Sequence, residues 1–224
     1  MELRKLWDGA IRFFHWSQLL LLAGLWWSAE QELYGIHMTL AYLLASLLFS
    51  RICWGLFGSE NARFGHFLKS PIATWQWLRQ RPLAKIAGHN PLSGYMVLTL
   101  ILLLSVQFIA GLMTTDEVLT DGPLVALVPS SWVEIASTIH RFNLDLLLVL
   151  VAIHVLAALI HQYKGDRLIQ PMLTGQQRAE LLPVHSNIQF RPVWPFFLIF
   201  FCSVIGFYLW QGDTVLPMLL SDLR

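Results

Sequence analysis

The chain has 224 residues, of which 56% are hydrophobic and 13% charged, with a formal net charge of +1 at pH 7 and a mean hydropathy of +0.57. So little polar surface cannot cover a soluble globule of this size, and the near-neutral balance gives no hint of nucleic-acid binding. The composition predicts an integral membrane protein, and the chain's apolar stretches and histidines predict an all-α helical bundle with a four-helix core and a fifth, C-terminal transmembrane helix.

Apolar stretches of about 18 to 22 residues have the length that crosses a hydrocarbon core of roughly 30 Å. The first runs from about Ile11 to Ser28. Its basic start resembles a secretory signal, but Trp26 and Trp27 stand where small residues would have to precede a cut near Ala29, so it is read as retained. A tight turn near Gln31 and Glu32 leads into the second stretch, about His37 to Phe57. The segment from Gly58 to Ser93 holds Pro71, Pro82, Pro91 and several charges. It reads as a loop with a short interfacial helix around Ile72 to Leu78, where Trp75 and Trp77 rest at the headgroup level. The third stretch covers about Gly94 to Met113, the fourth His140 to Gln162 and the fifth Val193 to Trp210. Residues 1–176 are thus expected to form the transmembrane core domain, and 177–224 a cytoplasmic connector, the fifth helix and a periplasmic tail.

Lysine and arginine fall on one side of these stretches. Arg4, Lys5 and Arg12 precede or open the first; Arg63, Lys69, Arg79, Arg81 and Lys85 lie between the second and third; Lys164, Arg167, Arg178 and Arg191 follow the fourth. The other side carries Glu30, Glu32, Asp116, Glu117, Asp121 and Glu134, and the tail Asp213 and Asp222 beside Arg224. The positive-inside rule then predicts a multi-pass membrane protein with a cytoplasmic N-terminus and its C-terminus outside.

Cys53 and Cys202 lie in different predicted helices and form no C-x-x-C-H, so neither covalent haem attachment nor a disulfide is expected. No G-x-G-x-x-G or Walker pattern accompanies the helices, which argues against a flavin, nicotinamide or ATP site. The histidines are more informative. His15 lies in the first stretch, His37 at the start of the second, and His140 and His154 in the fourth. The last two are fourteen residues apart, about 21 Å at the α-helical rise of 1.5 Å, and fourteen steps of about 100° fall only some 40° short of four full turns. They share one helix face at two depths. Counting outward from the turn at Gln31 and Glu32 puts His37 near one membrane surface and His15 roughly 20 Å deeper, the same offset. Two cross-bundle pairs follow, His37 with His140 and His15 with His154. A b-type haem takes one imidazole on each face of its iron, and bundles build such sites from facing helices. Two stacked haems b are therefore expected, the inner on His15 and His154, the outer on His37 and His140. A metal-ion or proton transporter is the competing class; one ion needs several ligands within a few ångströms, whereas these pairs lie about 20 Å apart.

His161 shares the face of His154 but lies roughly 10 Å nearer the cytoplasmic surface, and is read as interfacial. His66, His89 and His185 fall in cytoplasmic segments and are expected to be solvated. Haem propionates need cationic partners. Arg12, one turn before His15, and Arg51, at the inner haem's depth, are candidate inner clamps; positive-inside anchoring is the competing role for Arg12. Arg141, or the hydroxyls of Ser137 and Thr138, could serve the outer haem. Asp145, more than a turn inside the fourth helix, is expected to hydrogen-bond a neighbouring helix or, alternatively, to carry protons to a quinone.

The stretches WDGAIRFFHW, LYGIHMTLAYLL, RICWGLFGSENARFGHFLKSP, GHNPLSGYMVLTLILLL, IHRFNLDLLLVLVAIHV and YKGDRLIQPMLTG, in this order, resemble the prokaryotic cytochrome b561 family over roughly residues 5–176. That family is related to the cytochrome b subunits of membrane nickel-iron hydrogenases. The resemblance implies two non-covalent b haems with bis-histidine ligation at His15, His37, His140 and His154. The chain departs from the usual pattern at Ala41, where a glycine often follows the second-helix histidine, and at Arg141, where an acidic residue often follows the fourth-helix one. The leading expectation is electron transfer between the quinone pool, ubiquinone or menaquinone, and a periplasmic redox partner, a c-type cytochrome, whose basic face the acidic outer connections would suit. The alternatives are a superoxide:quinone or ferric oxidoreductase and a haem-bearing membrane anchor of a hydrogenase or dehydrogenase. The fifth helix, lacking histidine, could contact a second copy in a homo-oligomer.

Overall fold

The computed structural model describes residues 2–80, 87–115, 120–183 and 188–224. In chain order it has a short strand β1 (Leu3–Lys5) and helices α1 (Gly9–Glu30), α2 (Tyr34–Phe57), α3 (Phe64–Phe67), α4 (Pro71–Arg79), α5 (Pro91–Gly111), α6 (Ser130–Tyr163) and α7 (Ile169–Thr174). Strand β2 (Gln176–Arg178) and helix α8 (Trp194–Asp222) follow.

Among the described residues four helices are long and apolar enough to cross a membrane: α2, α5, α6 and α8. Helix α1 has the length for a span, 22 residues or about 33 Å, but Arg12, His15, Gln18 and Glu30 make it less apolar than those four. The helix ends follow local chemistry. Ser70 caps α4 by accepting from Ala73 N–H at 3.2 Å, with Pro71 in the first turn, where its missing donor costs nothing. This is the short helix expected between the second and third stretches. Asn90 does the same for α5, accepting from Ser93 N–H at 2.8 Å. The turn between α1 and α2 is closed by Leu33 N–H to Ser28 C=O at 2.9 Å, with Glu32 in the left-handed region at φ 56°.

Two boundaries differ from those expected. Helix α6 begins at Ser130, ten residues before His140, because Pro129 and Ser130 form a start signal ahead of the apolar run. Its 34 residues rise about 51 Å, more than the hydrocarbon core requires. Helix α8 continues past Trp210 to Asp222 and contains Pro217 within its last turns.

The described chain divides into two units. The first comprises Met1–His15, Ser50–Thr99 and Ala152–Phe197. Here β1 pairs antiparallel with β2, Leu3 opposite Arg178, and the Gly175 carbonyl accepts from Leu6 and Trp7 N–H at 2.8 and 3.2 Å. Trp54 and Phe196 are fully buried and meet edge-on at 6.2 Å, with Trp7, Phe14 and Phe67 also in this core. The second unit comprises Trp16–Phe49, Leu100–Val151 and Leu198–Arg224. Leu47, Leu104, Ala110, Ala136, Leu147 and Val215 are buried in it, and Phe207 of α8 stacks on Tyr42 of α2 at 5.0 Å. The apolar surface of α6 and α8 faces mostly outward, as a lipid-facing helix requires.

Candidate haem-binding sites

In the first unit, His15 of α1 and His154 of α6 have ring centroids 6.3 Å apart and planes inclined at 53°. An imidazole nitrogen binds a transition metal at about 2 Å and its ring centre lies about 1 Å behind, so two imidazoles on opposite faces of one iron stand about 6 Å apart. The spacing fits one iron between them. The register of α1 that delivers His15 is set two turns earlier. Buried Asp8 accepts from Ile11 N–H at 2.8 Å, capping α1, and from the Trp54 indole N–H at 3.0 Å, tying α1 to α2.

In the same unit Arg51 is 2% exposed. Its Nη1 donates to the Ala62 carbonyl at 3.2 Å, and the guanidinium lies over the Phe64 and Phe14 rings at 5.1 and 5.8 Å. Among the described residues no carboxylate is within salt-bridge distance of it. Since a guanidinium carries five N–H donors, Arg51 has capacity for a carboxylate partner. Arg12, half-buried, donates from Nη1 to the Leu173 carbonyl at 2.7 Å, while its buried Nε finds no hydrogen-bond partner among the described residues.

The first unit also corrects one expectation. His89 is not solvated: its ring packs 4.8 Å from that of Trp7 and 4.9 Å from that of Phe67. Burial pushes its imidazole down to about 3, and Arg51, His154 and His15 act in the same direction. It is a neutral third imidazole near the pair. The available signal was the Gly-His-Asn-Pro run, in which Asn90 caps α5 and so makes an ordered turn of what reads as loop. His66 lies 3.5 Å from Glu60, and His161 bonds Asp166 at 2.7 Å at the end of α6. His185, Arg81, Lys85, Asp116 and Glu117 lie outside the described residues.

In the second unit the main chain orients both imidazoles. His37 Nδ1 donates to the Leu25 carbonyl at 3.1 Å, with Ser28 Oγ at 3.4 Å, and His140 Nδ1 donates to the Gln107 carbonyl at 3.0 Å. A carbonyl can only accept, so each ring carries its proton on Nδ1 and keeps the Nε2 lone pair for a metal. Helix α5 provides no histidine, yet it holds His140 from several sides. Gln107 Nε2 donates to the His140 carbonyl at 3.0 Å, and buried Asn143 donates to Gln107 Oε1 at 2.7 Å and to the Leu103 carbonyl at 3.0 Å. Gly111 lets the ring approach: a Cβ there would lie 2.9 Å from His140 Cε1.

Arg141 is exposed and lines a cleft of about 510 Å³ with Thr115, Ser130, Glu134, Ser137 and three valines. Of the hydroxyls expected to assist it, Ser137 accepts from Thr114 Oγ1 at 2.9 Å and Thr115 N–H at 3.3 Å, and Thr138 donates to the Glu134 carbonyl at 3.0 Å. Asp145 is exposed on α6. It stands about 140° and 180° around the helix from His140 and His154.

Among the described residues no group of three or more His, Cys, Asp or Glu side chains could hold a metal ion. His15 and His154 face each other as a pair, and two imidazoles suit an iron whose other four ligands come from a porphyrin. Residues 6–175 match the family described as prokaryotic cytochrome b561. The chain belongs to that family. Membership in the prokaryotic cytochrome b561 family makes it a membrane cytochrome of b-type haem engaged in electron transfer. Comparison with curated proteins and with solved structures returned no match. The cytochrome b561 match ends before α8.

Proposed function

We propose that this cytochrome b561 is a di-haem relay that passes single electrons between the quinone pool and a periplasmic c-type cytochrome. The observation that carries the reading is the His15–His154 pair at 6.3 Å, and the Nδ1 bonds of His37 and His140 to main-chain carbonyls support a second pair. Bound haem b supplies reversible one-electron chemistry at its iron. The chain's own work is to orient and to tune. His15 with His154, and His37 with His140, present their nitrogens from facing helices. Arg51 and Arg12 in the first unit and Arg141 in the second offer charge-assisted donors to propionates. Apolar helix faces keep water from the imidazoles.

The clustering of Arg4, Lys5, Arg12, Arg63, Lys69 and Arg79 supports a cytoplasmic N-terminus in the bacterial inner membrane. With α1 as a further span, the four apolar helices become five and the C-terminus is periplasmic. Residues 1–176 then form the haem-binding core. Glu30, Glu32, Asp121 and Glu134 give the outer side an acidic character suited to the basic face of a c-type cytochrome.

Purified protein, assayed for haem and iron per polypeptide and titrated potentiometrically, should contain two b haems. Alanine at His15, His37, His140 or His154 in turn should each remove one spectral component, the same one within a pair. A quinol and an oxidised c-type cytochrome should respectively reduce and reoxidise the haems. Fewer than two haems per chain overturns the ligand assignment; two redox-active haems that exchange electrons with neither partner overturn the relay.

A further inference from the structure

Helix α2 begins without a cap of its own. His37 N–H bonds the Leu33 carbonyl at 2.9 Å, so Leu33 is the N-cap residue, and leucine has no side-chain acceptor for the N–H groups left over in the first turn. The acceptor comes from the far end of the chain. Asp222, the last residue of α8, accepts from Ile36 N–H through Oδ2 at 2.9 Å. Ile36 is the residue immediately before His37. Two further features of the second unit hold α8 there. Gly35 lies so close to the main chain of Met218 and Leu219 that any Cβ would overlap it. Deeper along the same two helices, Tyr42 is stacked on Phe207 at 5.0 Å and meets Trp210 at 6.4 Å.

A carboxylate at a helix N-terminus satisfies an orphan donor and complements the positive end of the helix dipole. This one does so from α8, which lies outside the matched family region. It brings a negative charge to within one residue of a proposed iron ligand. We infer that Asp222 is a positioning residue for His37: it fixes the first turn of α2, and its charge lowers the midpoint potential of the haem that His37 holds. The inference rests on the proposed pairing of His37 with His140. Its sign follows from electrostatics. Ferric haem carries one positive charge more than ferrous, so a nearby anion favours the oxidised form, and neutralising that anion makes the haem easier to reduce.

The test is a potentiometric titration with low-temperature electron paramagnetic resonance, on the full-length haem-loaded protein and its Asp222→Asn, Asp222→Glu and Gly35→Ala variants. Asp222→Asn should raise the midpoint potential of one component, the one that His37→Ala abolishes, and leave the other where it was. Asp222→Glu, which restores acceptor and charge, should return it towards the wild-type value. Gly35→Ala, which displaces α8 with the carboxylate intact, should move the same component, and this variant and Asp222→Glu decide the matter should Asp222→Asn not accumulate. Two haems per chain with both potentials unchanged in Asp222→Asn, or both shifted equally, overturns the inference and leaves the ligand pairs standing. Fewer than two haems in the wild type overturns the pairs themselves.

Discussion

Replacing Gly111 by alanine should loosen one haem and not the other. The added Cβ would lie 2.9 Å from His140 Cε1 and 3.2 Å from Nδ1, whereas carbon atoms pack at about 3.5–4.0 Å. The ring must therefore retreat by roughly 0.6–1 Å, and the 3.0 Å bond from Nδ1 to the Gln107 carbonyl cannot survive that shift unchanged. Overpacking of this kind costs about 1–3 kcal/mol. Charged against haem binding, it weakens affinity by about 5- to 150-fold, at about 1.4 kcal/mol per factor of ten. Haem retention in the presence of a haem scavenger, followed by pyridine haemochrome assay and by the spectrum of the remaining component, measures this directly. Gly206→Ala is the control, because a Cβ at that position meets nothing within 4 Å. A Gly111→Ala protein that keeps both haems with wild-type spectra and release rates would refute the description of α5 as the support of His140.

Two further outcomes concern the first unit. Arg51→Gln should lower the midpoint potential of the component that His15→Ala removes, because a cation opposing the ferric state is gone. It should also weaken retention of that haem by about 10- to 150-fold, the equivalent of one charge-assisted hydrogen bond at about 1.5–3 kcal/mol; unchanged potential and retention would separate Arg51 from the haem. His89 stays neutral in the fold down to about 3, against 6.5 for an ordinary histidine. The unfolded chain thus binds the proton first, and stability present above pH 6.5 is lost as pH falls from there towards 3, by up to about 1.4 kcal/mol per pH unit. His89→Phe should flatten the decline of thermal stability between pH 6.5 and 4.5; identical slopes in the two proteins would count against a buried neutral His89.

The four apolar helices and the approach of His15 to His154 were legible because helix geometry is rigid. A rise of about 1.5 Å and a turn of about 100° per residue convert the spacing of His140 and His154 into depth and direction, and the hairpin at Gln31 and Glu32 does the same for His37 and His15. His89 was not legible, since it follows a proline-rich, charged segment with no period to read, and its burial depends on Trp7 and Phe67 arriving from elsewhere in the chain. The early start of α6 was signalled by Pro129 and Ser130 but hidden by the polar residues that follow them. The extension of α8 was hidden by Gln211, Asp213 and Pro217, which read as an end. Asp222 looked like a tail residue because nothing local reveals that the N-cap position of α2 is filled by Leu33 and needs an acceptor from elsewhere.

The two imidazoles of the second unit take their direction from peptide oxygens, those of Leu25 and Gln107. Every amino acid contributes the same oxygen, so no exchange of side chain at positions 25 or 107 can delete it. The hydrogen-bond acceptors of both rings are thereby insulated from drift in the surrounding sequence, and the rings are turned away by changes that shift the helices or crowd the rings directly, such as a larger residue at Gly35 or Gly111.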